Sequence, residues 1–174
     1  MTYTLGSLFD GSGSFPLAGL RHGITPVWAS EVEPYSIAVT RSRFPDMKHL
    51  GSVVDVDGGK IDPVSVITFG SPCQDLSVAG KQAGIHEGDR SNLFFEAIRI
   101  IREMRESTNG EYPKFAVWEN VPGAFSSFKG RDFQAVVQAF TDLCQPGTDV
   151  PFPAKTGWKH AGLVMGTDQK WSFA

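Results

Sequence analysis

Apolar positions along this chain fall into short buried runs that alternate with longer amphipathic ones. Tyr3-Thr-Leu-Gly-Ser-Leu-Phe9 reads as a first buried strand, followed by the glycine-rich Asp10-Gly-Ser-Gly-Ser14. Phe15-Pro-Leu-Ala-Gly-Leu20 then carries a proline where the first turn of a helix accepts one. Pro26 to Ser30 is a second short strand, and Glu33 to Phe44 has apolar positions at helical spacing and is stopped by Pro45. Val53 to Val56 reads as a weak third strand and Val64 to Phe69 as a strong fourth. Ser91 to Arg105 is the clearest helix, with Leu93, Ala97, Ile100, Ile101 and Met104 on one face. Phe115 to Trp118 predicts a fifth strand, and Asp132 to Leu143 a further amphipathic helix. Polar, glycine-containing stretches at 80 to 90, 106 to 113 and 145 to 157 read as loops.

Strands alternating with helices of this length predict right-handed βαβ units and an α/β fold with a doubly wound, mostly parallel sheet. In such a sheet ligands bind beyond the carboxyl ends of the strands. The candidate residues are therefore those at strand ends: Asp10 to Ser14, Glu31, Val53, Pro72-Cys73 and Glu119-Asn120. They are expected to converge on one edge.

Composition narrows the function classes. A chain of 174 residues is one domain's worth of sequence, long enough to bury roughly 70% of its unfolded surface. A net charge of −3 gives no electrostatic footprint for unaided binding of a polyanion. The two cysteines, Cys73 and Cys144, have no CxxC spacing, and the amino terminus has no secretory apolar core. These features point to a reducing, cytoplasmic setting. No apolar run approaches the ~18 residues needed to cross a bilayer, so no membrane partner is expected.

Three groups of residues carry candidate chemistry. Gly11 and Gly13 permit positive φ and close backbone approach, and the helix that follows offers free N–H groups. The third glycine of the dinucleotide fingerprint is missing, because position 16 is proline, which counts against a nicotinamide cofactor. Glu31 lies at the end of the second strand, where an acid typically accepts hydrogen bonds from a ribose. The plainer alternative is a glycine turn with a solvated glutamate. Cys73 follows a strand end and a proline, between Gly70 and Gln74, a setting that favours a reactive thiolate over a core cysteine. Cys144, placed within a helix, reads as a packing residue. Phe115-Ala-Val-Trp118 delivers Glu119 and Asn120 to the same edge, and a carboxyl emerging from an apolar strand is expected to be partly desolvated, with a raised pKa suited to proton donation. The four histidines have no motif context and no Gly-x-Ser-x-Gly elbow is present, which counts against a cysteine hydrolase. No His/Cys cluster has metal-ligand spacing, so no metal is expected.

Phe9-Asp-Gly-Ser-Gly13, Pro72-Cys73-Gln74 and Glu119-Asn120-Val121, in this order and at these separations, closely resemble the DNA cytosine-5 methyltransferases. Ser71 to Gly84 and Asp89 to Phe95 look like the bacterial and phage branch, and the likeness extends over essentially the whole chain. The resemblance implies a Rossmann-like fold with S-adenosylmethionine as cofactor and DNA as partner. It implies that Cys73 attacks C6 of a cytosine flipped out of the duplex, that Glu119 contacts N3 and donates a proton, and that C5 then takes the methyl group. It places Phe9 against the adenine, Gly11, Ser12 and Gly13 near the methionine part, and Glu31 on the ribose, with Val32, Val53, Pro72 and Leu93 as further wall. Gly51-Ser52-Val53 stands where many relatives have Gly-Asp-Ile.

Gly157 to Ala174 resembles the lead-in to the arginine-bearing motif of that family, and there the sequence stops. The expectation is a catalytic domain truncated before the target recognition region, either completed by a complementing chain or surviving as a non-catalytic, cofactor-binding remnant.

Overall fold

The computed structural model describes residues 2–71, 93–153 and 158, together with the backbone of 164–165 and 172–173. The chain forms two compact units, Met1–Pro72 with Asn92–Asn120, and Cys73–Ser91 with Val121–Ala174.

The first unit is built on strands β1 (Thr4–Leu8), β2 (Thr25–Ser30), β3 (Lys48–His49), β4 (Val66–Phe69) and β5 (Phe115–Trp118), with helices α1 (Ser14–Arg21), α2 (Pro34–Arg43) and α3 (Leu93–Ser107). The strands form one sheet in the order β3-β2-β1-β4-β5, and every neighbouring pair is parallel. This is the doubly wound, Rossmann-like arrangement expected from the alternating pattern. It closes on both faces, and β1 and β4 are buried on both sides, as strands of a covered parallel sheet are. Leu8 and Phe69 are opposite one another and fully buried. On one face Phe94 of α3 packs against Phe69 and Trp118, with ring centroids 6.0 and 5.6 Å apart. The Trp28 ring fills the space above Gly6, where any side chain would collide with it. On the other face Ala29 of β2 packs with Phe44, Met47 and Leu17 of α1.

One predicted strand is a different element. Val53–Asp55 is a turn of 3-10 helix, and the third strand is the two-residue Lys48–His49 upstream of it. Two hydrogen bonds explain the difference. Leu50 N–H donates to the Ala29 carbonyl at 2.9 Å, carrying the pairing only as far as residue 50. The Ser52 hydroxyl then accepts from Val54 N–H at 3.3 Å and caps the turn, a local bond that competes with a strand ladder. Val53 and Val56 are β-branched and buried, yet they pack as turn residues. The other predicted strands and helices, β1 included, match their predicted positions to within two residues at each end.

In the second unit, α4 (Arg131–Asp142) follows two short 3-10 turns, Pro122–Phe125 and Ser127–Gly130. Its core is aromatic: Phe133 lies 4.6 Å from Phe125 and 5.1 Å from Trp158, centroid to centroid. Trp158 Nε1–H donates to the Gly130 carbonyl at 2.7 Å. The backbone of Val164–Met165 (β6) pairs antiparallel with Ser172–Phe173 (β7). Cys144 sits just past the end of α4 and is half-buried.

Candidate cofactor-binding edge

Parallel register puts the carboxyl ends of β1, β2, β4 and β5 side by side: Leu8 lies opposite both Ser30 and Phe69, and Phe69 opposite Trp118. The residues that follow each of these strands therefore share one edge of the sheet.

Phe9 turns the chain out of β1 with φ of 54°. A bulky residue in the left-handed region is a genuine outlier and costs about 1–3 kcal/mol, so the surrounding contacts must hold it there. Asp10 N–H donates to the Ser30 carbonyl at 3.2 Å, and Gly13 N–H returns to the Asp10 carbonyl at 3.1 Å, closing a tight turn. Gly13 has φ of 85°, and a Cβ there would stand 2.9 Å from the Phe44 ring. Both conformation and space require glycine. Gly11 is the opposite case in space: a Cβ on it would meet nothing within 4 Å. The loop is open on that side, and α1 begins immediately after it with no side chain capping its first turn.

Glu31 locks this loop to the end of β2. Its Oε2 accepts from Gly11 N–H at 2.7 Å, and its Oε1 accepts from Val32 N–H at 2.7 Å and Glu33 N–H at 2.9 Å. A carboxylate has about four lone-pair directions, so one is left toward the open side. Val32 is exposed at the rim. Ser30 Oγ–H donates to the Gly51 carbonyl at 2.6 Å and ties the segment after β3 to the same edge.

Val53 is buried under that segment, and its carbonyl accepts from Arg99 Nη2 at 3.0 Å. Arg99 Nη1 also donates to the Val56 carbonyl at 2.8 Å, while Glu96 and Glu103 hold the guanidinium from α3. Sequence reading assigned Arg99 no role, because a basic residue on a helix flanked by acids at positions three before and four after looks like ordinary surface pairing. Leu93 is half-buried at the first turn of α3.

Glu119 N–H donates to the Phe69 carbonyl at 2.9 Å, extending the β4–β5 ladder by one residue. Its carboxylate lies over Gly70, where a Cβ would stand 3.0 Å from Oε2. The side chain is exposed, so the desolvation expected from its apolar strand is not supplied by the described residues around it. Ser71 on the neighbouring strand end accepts a hydrogen bond from Trp118 Nε1 at 3.2 Å. Pro72 and Cys73 lie outside the described residues.

Asp10, a strand-end candidate to which the sequence assigned no specific role, is unusual at this edge. It is 5% exposed, and neither carboxylate oxygen has a hydrogen-bond partner. Burial raises its pKa from the ordinary 3.8 to about 6; the nearby Ser7 hydroxyl pulls the other way, and the charge of Glu31 adds a smaller upward push. Among the described residues no group of acids, histidines and cysteines could hold a metal ion, and no helix is long and apolar enough to cross a membrane.

Comparison with known proteins bears on this edge directly. Residues 3–144 match the family of C-5 cytosine-specific DNA methylases. A DNA N-6-adenine-methyltransferase of Escherichia phage P1 is 31% identical over 128 residues, covering 70% of this chain and 17% of its own length. The orphan methyltransferase M.SPRI of Bacillus phage SPR is 32% identical over 142 residues, 79% of this chain and 30% of its own. Among solved structures, a DNMT2 variant from Spodoptera frugiperda superposes with a TM-score of 0.52 at 20% identity, over 83% of this chain and 41% of its own. A prophage-encoded protein of E. coli assigned as a DNA modification methyltransferase superposes at 0.59 and 21% identity, over 82% and 37%. The chain thus spans between about a sixth and a third of the length of these two curated relatives, and its fold is that of the two solved structures in kind. It belongs to the C-5 cytosine-specific DNA methylase family.

Proposed function

We propose that this chain carries the cofactor site and catalytic residues of an enzyme that methylates C5 of cytosine in DNA. The observation that carries the reading is the 2.7 Å bond from Gly11 N–H to Glu31, which joins two motifs 20 residues apart in one site. S-adenosylmethionine fits the donors there. The open side of Gly11 admits a ligand backbone, Glu31 keeps a lone pair for a ribose hydroxyl, and Phe9 would supply the aromatic face for the adenine. Ser12 and Gly13 would border the methionine part, and Val32, Val53, Pro72 and Leu93 the remaining wall. Bound there, the cofactor supplies an electrophilic methyl group.

The chain's own residues would do the rest. Cytosine C5 is too electron-poor to be alkylated unaided, so Cys73 as thiolate bonds to C6 and pushes the C5–C6 π pair onto C5. Glu119 donates a proton at N3 as that charge develops. Its exposure over Gly70 leaves it accessible to a base delivered from outside the duplex. Once C5 is methylated, N3 returns its proton to Glu119, and loss of the C5 proton to solvent with departure of the thiolate restores the ring. With a net charge of −3, grip on DNA phosphates requires Lys and Arg from elsewhere, in a recognition region on a further segment or a complementing chain. A cytoplasmic location suits the two unpatterned cysteines.

The test is tritiated methyl transfer to mixed-sequence duplex DNA by the chain together with the segment or chain that carries the recognition region, followed by digestion to nucleosides. Label is expected in 5-methylcytosine and lost in Cys73→Ser. Label in N6-methyladenine, as the name of the phage P1 relative suggests for that protein, or transfer surviving Cys73→Ser, would overturn the reading.

A further inference from the structure

The polar interior at the end of β1 is poorly matched by the protein itself. Ser7 and Thr68 face one another across the β1–β4 pairing, both are at most 5% exposed, and neither hydroxyl has a hydrogen-bond partner. Asp10, close enough to Ser7 to feel its hydroxyl, adds two more buried and unpartnered oxygens. A buried polar atom without a partner costs about 1–3 kcal/mol, and a charged one more. Three such residues clustered where one loop opens onto the sheet edge make a site short of donors rather than a packed core.

We propose that this cluster receives the ammonium group at the amino-acid end of the cofactor, with Asp10 as its counter-ion. This rests on the reading of the edge as a cofactor site and goes beyond it by assigning the group that Asp10 recognises. An ammonium brings three donors and a positive charge, which match two carboxylate oxygens and the hydroxyls of Ser7 and Thr68. Glu31 is the other charged group acting on Asp10; three of its lone pairs are engaged by backbone amides and the fourth is the one assigned to the ribose, so it adds to the negative potential without competing for the cation. Docking of the cation would favour ionised Asp10. The carboxyl proton passes to solvent as the ion pair forms, so binding at pH 6 releases a fraction of a proton and binding at pH 8 releases almost none.

S-adenosylhomocysteine carries the ammonium; 5′-methylthioadenosine lacks the whole amino-acid end. The experiment is calorimetric titration of the purified chain with each, in buffers of different ionisation enthalpy, for the wild type and Asp10→Asn. S-adenosylhomocysteine is expected to bind Asp10→Asn roughly tenfold to a hundredfold more weakly, the loss of one charge-assisted hydrogen bond, and to lose its proton release at pH 6. Methylthioadenosine is expected to bind both proteins alike. Because Asn removes a buried charge, Asp10→Asn should also melt higher than the wild type at pH 8. Equal losses for both ligands, unchanged proton release, or a variant that melts lower would overturn the assignment. Binding of neither ligand would instead overturn the cofactor reading beneath it.

Discussion

Glu31 holds three backbone amides on two oxygens, and a glutamine in its place would offer one oxygen and a competing donor. At least one of the Gly11, Val32 and Glu33 amides would then lose its acceptor. Glu31→Gln should therefore destabilise the first unit by about 1–3 kcal/mol, read as a lower urea midpoint, with faster hydrogen exchange at Gly11. Asp10 acts in the other direction. Its pKa lies at about 6 in the fold against an ordinary 3.8, so the folded state binds more protons than the unfolded state between those values, and stability falls as pH rises through them. The loss is about 2–3 kcal/mol between pH 4 and pH 7. Urea titrations of the wild type and Asp10→Asn across that range should diverge by this amount, the variant becoming the more stable at the upper end. Parallel curves would show that Asp10 carries no buried charge. The residues of the glycine turn and Glu31 were legible in the sequence because glycine and strand-end acids have few other reasons to recur at that spacing. Asp10 was legible only as one of the strand-end residues, since the same turn residue is ordinarily solvated and only its burial makes it unusual.

At the scale of elements, strands with continuous apolar runs were readable, and β5 has the bounds its sequence predicts, Phe115–Trp118. The third strand was not, because Lys48–His49 is too short to show a pattern and is defined by pairing with Trp28 and Ala29. The β-branched run at 53–56 pointed to the wrong element for the same reason: a capping hydroxyl and a guanidinium decide its conformation. Arg99 clamps that turn through the Val53 and Val56 carbonyls. Arg99→Ala should orphan both and expose residues 53–56 to exchange, lowering stability by about 1–3 kcal/mol. Arg99→Lys should recover less than half of this, because an ammonium lacks the planar fork that reaches two carbonyls and two acids at once. Full rescue by lysine would mean that charge alone holds the turn.

At the scale of the whole molecule, the parallel sheet turns separate motifs into one edge: a loop after β1, an acid after β2 and an acid after β5. Family membership agrees with that arrangement, since the match runs from residue 3 to residue 144 and so includes each of these strand ends. Resemblance suggested the chemistry, and the geometry shows that these strand ends share one edge. The most direct measurement of the central claim is ultraviolet cross-linking of tritiated S-adenosylmethionine to the purified chain, followed by tryptic mapping. The account predicts label on the peptides that end at Arg21 and Arg41, which carry the glycine loop and Glu31, and loss of that label in Glu31→Gln. Label confined to peptides beyond residue 120, or undiminished in the variant, would contradict it.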